Sequence, residues 1–427
     1  MLFNGHDCNL KKSSGKKGPG LADDMPASPL VGIDLSGVVG TLKSNVAPQI
    51  SIPDYSSYLP DMRPTWRQLV VIGNGFDLAC HLKSDFGSFF KPRFEKMRAI
   101  EHGGVLDGKS VGFQLRAAGL TVWDIVLSDC SGDNWYDVEA AISKWVRPCE
   151  QPHFIDLLDS VFALEFSGRK WQHILPPSES TERRVRRYLI EGMFGLEDDY
   201  SRDKLNKLLL DELHRLEDAF DVYLTKQVEK TSQYPEDARQ LLYELIMRDR
   251  PNEEDFRTEL SVLSFNYTSS REMQFDNSDG TIPYVNVHGK LGEDIIFGVD
   301  GKGMMTNANV VPFTKTYRLM AKGGPQHYEV LPGDVRLIKF FGHSLASADY
   351  SYFQAIFDAV NLYDGDTRLV FYYRPYAGKS DLEVRTEMMD RVTGLLSTYG
   401  ETLGNINHGN NLIHRLLLEG RLSIELI

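Results

Sequence analysis

Apolar runs and apolar stripes alternate along this chain, and each predicts a different element. Leu69-Val70-Val71-Ile72 is a continuous apolar run of the kind a buried parallel strand needs, because both of its faces are covered. It breaks into Gly73-Asn74-Gly75, where glycine lets the backbone turn tightly and approach a ligand. The pattern then becomes helical. Ser84 is placed to cap a helix through Met97, with Phe86, Phe89, Phe90 and Phe94 on one side. Asp133-Asn134 precedes Trp135, Val138, Ile142 and Trp145, whose three- and four-residue spacing marks a buried helical face. From Arg202 to about Glu229, Leu205, Leu208, Leu209, Leu213, Leu216, Phe220, Tyr223 and Leu224 form one stripe, which reads as core. Arg183, Arg184, Arg186 and Arg187 read as a solvated helix face and as the best contact for an acidic partner.

Strand patterns return at Leu260 to Phe265, Tyr284 to Val287, Ile295 to Phe297, Val335 to Phe341 and Leu369 to Tyr373, each short and bounded by turn residues. Helical patterns at Tyr350 to Val360 and Asp381 to Leu396 follow the last two. The expected architecture is α/β: an open, mostly parallel Rossmann-like sheet with a large helical insertion, residues 84–255, after the first strand. Residues 1–63, rich in Gly, Ser, Pro and Lys, read as a flexible N-terminal arm ahead of an α/β domain at 64–427.

Composition narrows the function classes. The 427 residues are 42% hydrophobic and 25% charged, enough for a large core, and length alone suggests two or three domains. A net charge of -13 argues against a surface built to grip nucleic acid, which needs an excess of Lys and Arg. Cys8, Cys80, Cys130 and Cys149 form no CxxC pair, so neither zinc nor a disulfide framework is indicated. The basic run near the N-terminus lacks the apolar stretch of a secretory signal, and no run is long enough to span a bilayer, so the expected setting is the cytoplasm.

Polar residues punctuate the strand ends. Gly73-Asn74-Gly75-Phe76-Asp77, Asn266-Tyr267-Thr268, His288-Gly289 and Gly342-His343-Ser344-Leu345 each follow a strand. Carboxyl ends of parallel strands share one rim, where ligands bind, so the four segments are expected to converge there. Asp77 is open to several roles: bonding a ribose hydroxyl, taking a proton, holding a metal, or capping the next helix. Asp137 and Glu139 read as solvated helix carboxylates. With no second carboxylate at a recognisable metal spacing, no metal is expected.

Taken together, IGNGFDLA, NWYDVE, SFNYT, VHGKL with IIFG, and FFGHSL with nearby Asp349 resemble the abortive-infection AbiH family of bacterial phage-defence proteins, over roughly Leu69 to Tyr373. Their order also looks like a distant version of the sirtuin-like NAD-binding fold. That resemblance implies NAD as substrate, with Asn266 positioning ribose or water and His288 acting as base or holding ribose hydroxyls. Gly73, Asn74, Gly75, Phe76, Asp77, Gly342, His343 and Ser344 would line the nucleotide. It further implies a defence effector that hydrolyses NAD, or a nucleotide-sensing module without turnover whose helical insertion engages a phage or host protein. Either form is compatible with a homo-oligomer.

Overall fold

The computed structural model describes residues 63–103, 110–128, 138–146, 180–192, 202–252, 254–268, 282–300, 308, 310–322, 330–376 and 378–427. The expected N-terminal arm, the Asp133-Asn134 helix start and Asp137 lie outside them.

The apolar run belongs to β1 (Thr65–Ile72), and Leu69, Val70, Val71 and Ile72 are fully buried. The strand begins earlier than its apolar part because its polar residues find partners. Gln68 donates its side-chain amide to Ile246 O at 3.2 Å, and Arg67 pairs with Glu259 at 2.7 Å. β1 runs parallel to β2 (Arg257–Ser264) on one side and to β4 (Val335–Phe341) on the other. With β3 (Tyr284–Asn286), β5 (Arg368–Tyr373) and β6 (Leu422–Leu426) it makes a six-stranded, all-parallel sheet of order β3-β2-β1-β4-β5-β6. This is the doubly wound order, whose connections reverse between β1 and β4.

Side-chain alternation divides the sheet into two cores. Val70, Ile72, Phe341 and Tyr372 face the helical insertion, while Leu69, Val71, Phe340 and Phe371 face the C-terminal helices. After the short α1 (Asn74–Ala79), the described residues of the insertion form α2 (Phe86–Gly103), α3 (Val111–Ala117), α4 (Val122–Ser128), α5 (Val138–Val146), α6 (Thr181–Gly192), α7 (Arg202–Lys230) and α8 (Tyr234–Met247). The leucine stripe on α7 is core as expected, with Leu205, Leu213, Leu216 and Phe220 fully buried. The other side is covered by α10 (Tyr350–Ala359), α11 (Asp381–Gly400) and α12 (Ile406–Leu418), and α9 (Lys315–Ala321) precedes β4. Lys339 lies fully buried within β4 and donates its ammonium to Leu245 O at 2.7 Å, Ile246 O at 3.1 Å and Arg248 O. It thereby satisfies carbonyls at the open end of α8.

Three expectations are corrected. Ile295–Phe297 is not a strand: Ile296 donates its N–H to His288 O, and Phe297 donates to the Glu217 carboxylate at 2.6 Å, so neither joins the ladder. Ser84 does not cap α2. Its hydroxyl donates to Asn74 Oδ1 at 2.5 Å, while Asp85 Oδ1 accepts the Ser88 N–H at 2.7 Å in capping geometry. Asp85→Ala is therefore expected to lower the urea-unfolding free energy by about 1 kcal/mol; an unchanged midpoint would contradict the assignment. The arginine cluster on α6 is not simply a solvated face, because Arg184 binds Glu101 at 2.8 Å and Ser128 at 3.0 Å, and Arg186 is buried.

Candidate functional site

The glycine turn after β1 forms a joint at the reversal between β1 and β4. Gly73 donates its N–H to Phe341 O at 3.0 Å, Gly75 to Gly342 O at 2.7 Å, and Phe76 to Gly73 O at 2.8 Å. A Cβ on Gly73 would stand 2.7 Å from His343 Cα, and one on Gly75 2.7 Å from Gly342 Cα. Gly342 adopts φ +72°, and a Cβ there would lie 2.3 Å from the Phe76 nitrogen. These glycines allow two strand ends to touch, and the N–H groups of Gly75 and Phe76 are committed within the protein.

The residues after the turn point inward. Phe76 is fully buried, edge-on to Phe341 with ring centroids 6.3 Å apart. Asp77 lies inside α1 and does not cap it; the N-cap is Gly73. Its carboxyl accepts hydrogen bonds from Tyr234 at 2.9 Å and Thr268 at 3.2 Å. Burial pushes its pKa up to about 7, against the opposing pull of Tyr234, Thr268 and Asn266.

Asn266 follows β2 and is 2% exposed. Its side-chain amide interacts with the Asp77 carboxyl, although among the described residues neither its oxygen nor its nitrogen makes a fully formed hydrogen bond. Its backbone is nevertheless pinned: the N–H donates to Ser264 Oγ at 3.2 Å, and the carbonyl accepts from Asn286 Nδ2 at 2.7 Å. A fixed, buried amide whose hydrogen-bonding capacity is only partly used is uncommon in a native structure.

Around the preceding residue, Phe265, the rim gathers a charged cluster. Phe265 lies edge-on to His288 and His343, with centroid separations of 5.4 and 4.4 Å. Both imidazoles face Asp349, which ends a 3-10 turn at Ser347–Asp349: His288 Nε2 is 3.0 Å from Oδ1, and His343 Nε2 is 3.3 Å from Oδ2. His343 Nδ1 accepts the Leu345 N–H at 2.9 Å, so its ring proton belongs on Nε2, toward the carboxylate. Lys315 donates its ammonium to Asp349 at 2.7 Å and also to Glu139.

The balance of burial and charge differs at each group. Burial pushes the His288 imidazole down, helped by Lys315 and opposed by Asp349, to about 4. Burial opposes charge on Asp349, but Lys315 and then His288 outweigh it and hold the carboxyl well below its usual range. For Lys315, burial is overcome by Glu139 and Asp349, which raise its pKa. At neutral pH the cluster therefore presents a neutral His288 imidazole, an ionised Asp349 and an ammonium.

The structure thus brings Asn266, His288 and His343 to one edge, with Gly73 against His343. Asn74, Phe76 and Asp77 are engaged behind that edge. Half-buried Ser344 accepts the Ala346 N–H at 3.4 Å within its own turn. Glu139, expected to be solvated, instead binds a buried lysine. Lys315 had no sequence signal, since it sits in a short helix between strands and its partners are distant in the chain.

An all-parallel doubly wound sheet with imidazoles, carboxylates and an amide gathered at its carboxyl edge defines an α/β protein of the rim-site class. Within that class the chain belongs to the family described as Bacteriophage abortive infection AbiH, whose model matches residues 69–373. The family role is bacteriophage abortive infection. No curated protein and no solved structure matches the chain. Among the described residues, no helix is long and apolar enough to cross a membrane.

Proposed function

We propose that this abortive-infection protein hydrolyses the nicotinamide–ribose bond of NAD, giving nicotinamide and ADP-ribose, at a sirtuin-like site formed by Asn266, His288 and His343. The observation that carries this reading is the His288–Asp349 pair, 3.0 Å apart and shared with His343 at the carboxyl edge of the sheet, next to the loop that carries the buried Asn266. When the C–N bond breaks, its electron pair leaves with nicotinamide and positive charge develops on the ribose. The ionised Asp349 carboxylate would stabilise that charge. The Asn266 amide would hold the ribose hydroxyls or the incoming water. His288, neutral and oriented by Asp349, would take the water's proton.

Free nicotinamide released from NAD tests this reading, with His288→Ala and Asn266→Ala beside the parent. Each variant is expected to keep its circular dichroism spectrum and lose turnover by at least about 100-fold. Recognition without turnover is the second reading; in either, donors other than the committed Gly75 and Phe76 N–H groups would hold the phosphates. Tight NAD binding with no nicotinamide released, even with phage components present, would select it over hydrolysis.

A further inference from the structure

The cluster has the composition of a transition-metal site, yet a side chain already supplies its cation. Ligand atoms of Glu139, His288 and Asp349 all lie within 4.8 Å of one another. Two carboxylates and an imidazole make a donor set that holds divalent transition ions. These donors come from α5, the end of β3 and the turn before α10, and they meet only in the folded chain. Among them stands the Lys315 ammonium, 2.7 Å from Asp349 Oδ1 and bonded to Glu139.

Lys315 is delivered there rigidly. Its side chain is 2% exposed, and its backbone N–H donates to Val299 O at 3.0 Å. Thr314 caps α9, accepting the Tyr317 N–H at 3.4 Å. One turn on, Arg318 is locked to Glu217 and donates to Phe297 O at 2.6 Å, so the helix cannot turn without breaking a second buried pair.

We propose that Lys315 is the resident cation of a metal-type ligand set: its ammonium occupies the position between Glu139 and Asp349 and excludes a divalent ion. A doubly charged ion about 3 Å from an ammonium in a poorly screened site meets strong repulsion. The site therefore works with a charge fixed by the fold and independent of metal supply. Asp349 and His288 are held in place by an ammonium that cannot be chelated away. This assigns Lys315 as a positioning residue.

Titration of the full chain with Co2+, followed by visible d–d absorption, tests the assignment. The parent and Lys315→Arg are expected to show no bands at millimolar Co2+. Lys315→Ala and the bulkier Lys315→Met are expected to develop them, with affinity at least about 100-fold above the parent. His288→Ala added to either variant is expected to abolish them. Parent protein that binds Co2+ in a manner lost with His288→Ala would overturn the proposal. So would a folded Lys315→Ala or Lys315→Met with no bands. The titration reads the ligand cluster directly, so its outcome is separate from whether NAD is hydrolysed.

Discussion

Arg318→Met is expected to destabilise the fold by about 3–5 kcal/mol, whereas adding Glu217→Gln to it should recover most of that loss. The two side chains are almost fully buried and meet face to face, Nη1 with Oε1 and Nη2 with Oε2 at 2.7 Å. Arg318 also donates to Phe297 O, and Glu217 accepts the Phe297 N–H, so the pair closes over the segment that leads away from the site. Removing the guanidinium alone leaves a carboxylate buried among apolar side chains with its main counter-charge gone. Burial already raises the Glu217 pKa even with Arg318 present. The deficit should therefore grow as pH rises above the ordinary glutamate range, where the unfolded chain ionises freely and the folded one resists. Urea-unfolding midpoints of the two single variants and the double variant measure the coupling. Additive effects would mean that the pair is not a unit.

The second large effect concerns acid stability. Asp77 has its pKa raised from 3.8 to about 7, so its contribution is full below pH 3.8 and is lost as pH rises through 7. That contribution is on the order of 4 kcal/mol. His288 is lowered from 6.5 to about 4, so its contribution is full above pH 6.5 and is lost as pH falls through 4; it is on the order of 3 kcal/mol. Between pH 4 and 6.5 the two slopes oppose one another and nearly cancel. Single substitutions should separate them. Relative to the parent, Asp77→Asn is expected to gain about 3 kcal/mol as pH rises across that window, and His288→Gln is expected to lose a similar amount. Asparagine retains an acceptor for Tyr234 and Thr268, so the comparison isolates the charge. Unfolding midpoints taken across the window give both slopes; curves parallel to the parent's would refute the assignment.

What the sequence shows of this protein depends on whether a residue's partners are near or far. The strand cores of β1 and β4, the leucine stripe of α7 and the insertion between the first two strands were legible, because apolar periodicity reports burial directly. So was the meeting of His288 and His343, because parallel topology alone brings strand ends together; the Asn266 amide lies with Asp77 instead. The polar start of β1 was not legible, since Gln68 and Arg67 gain their places through Ile246, Glu259 and Asp334. β6 escaped notice as a short strand carrying Ser423 and Glu425, half-buried along most of its length. The charged part of the site was hidden for the same reason. Glu139 has the pattern of a helix-surface carboxylate, and only the fold supplies the lysine that draws it inward.

The placement of β1 has a consequence for synthesis. It is a central strand, yet its register pairs Val70 with Val262 and Lys339, so the sheet cannot close until most of the chain has left the ribosome. At about 5–20 residues per second, β1 waits roughly 10–40 s for its first neighbour. Over that interval Asn266, His288 and Lys315 do not yet exist as a cluster. A nascent chain that has not yet reached Asp349 lacks the carboxylate on which His288, His343 and Lys315 converge.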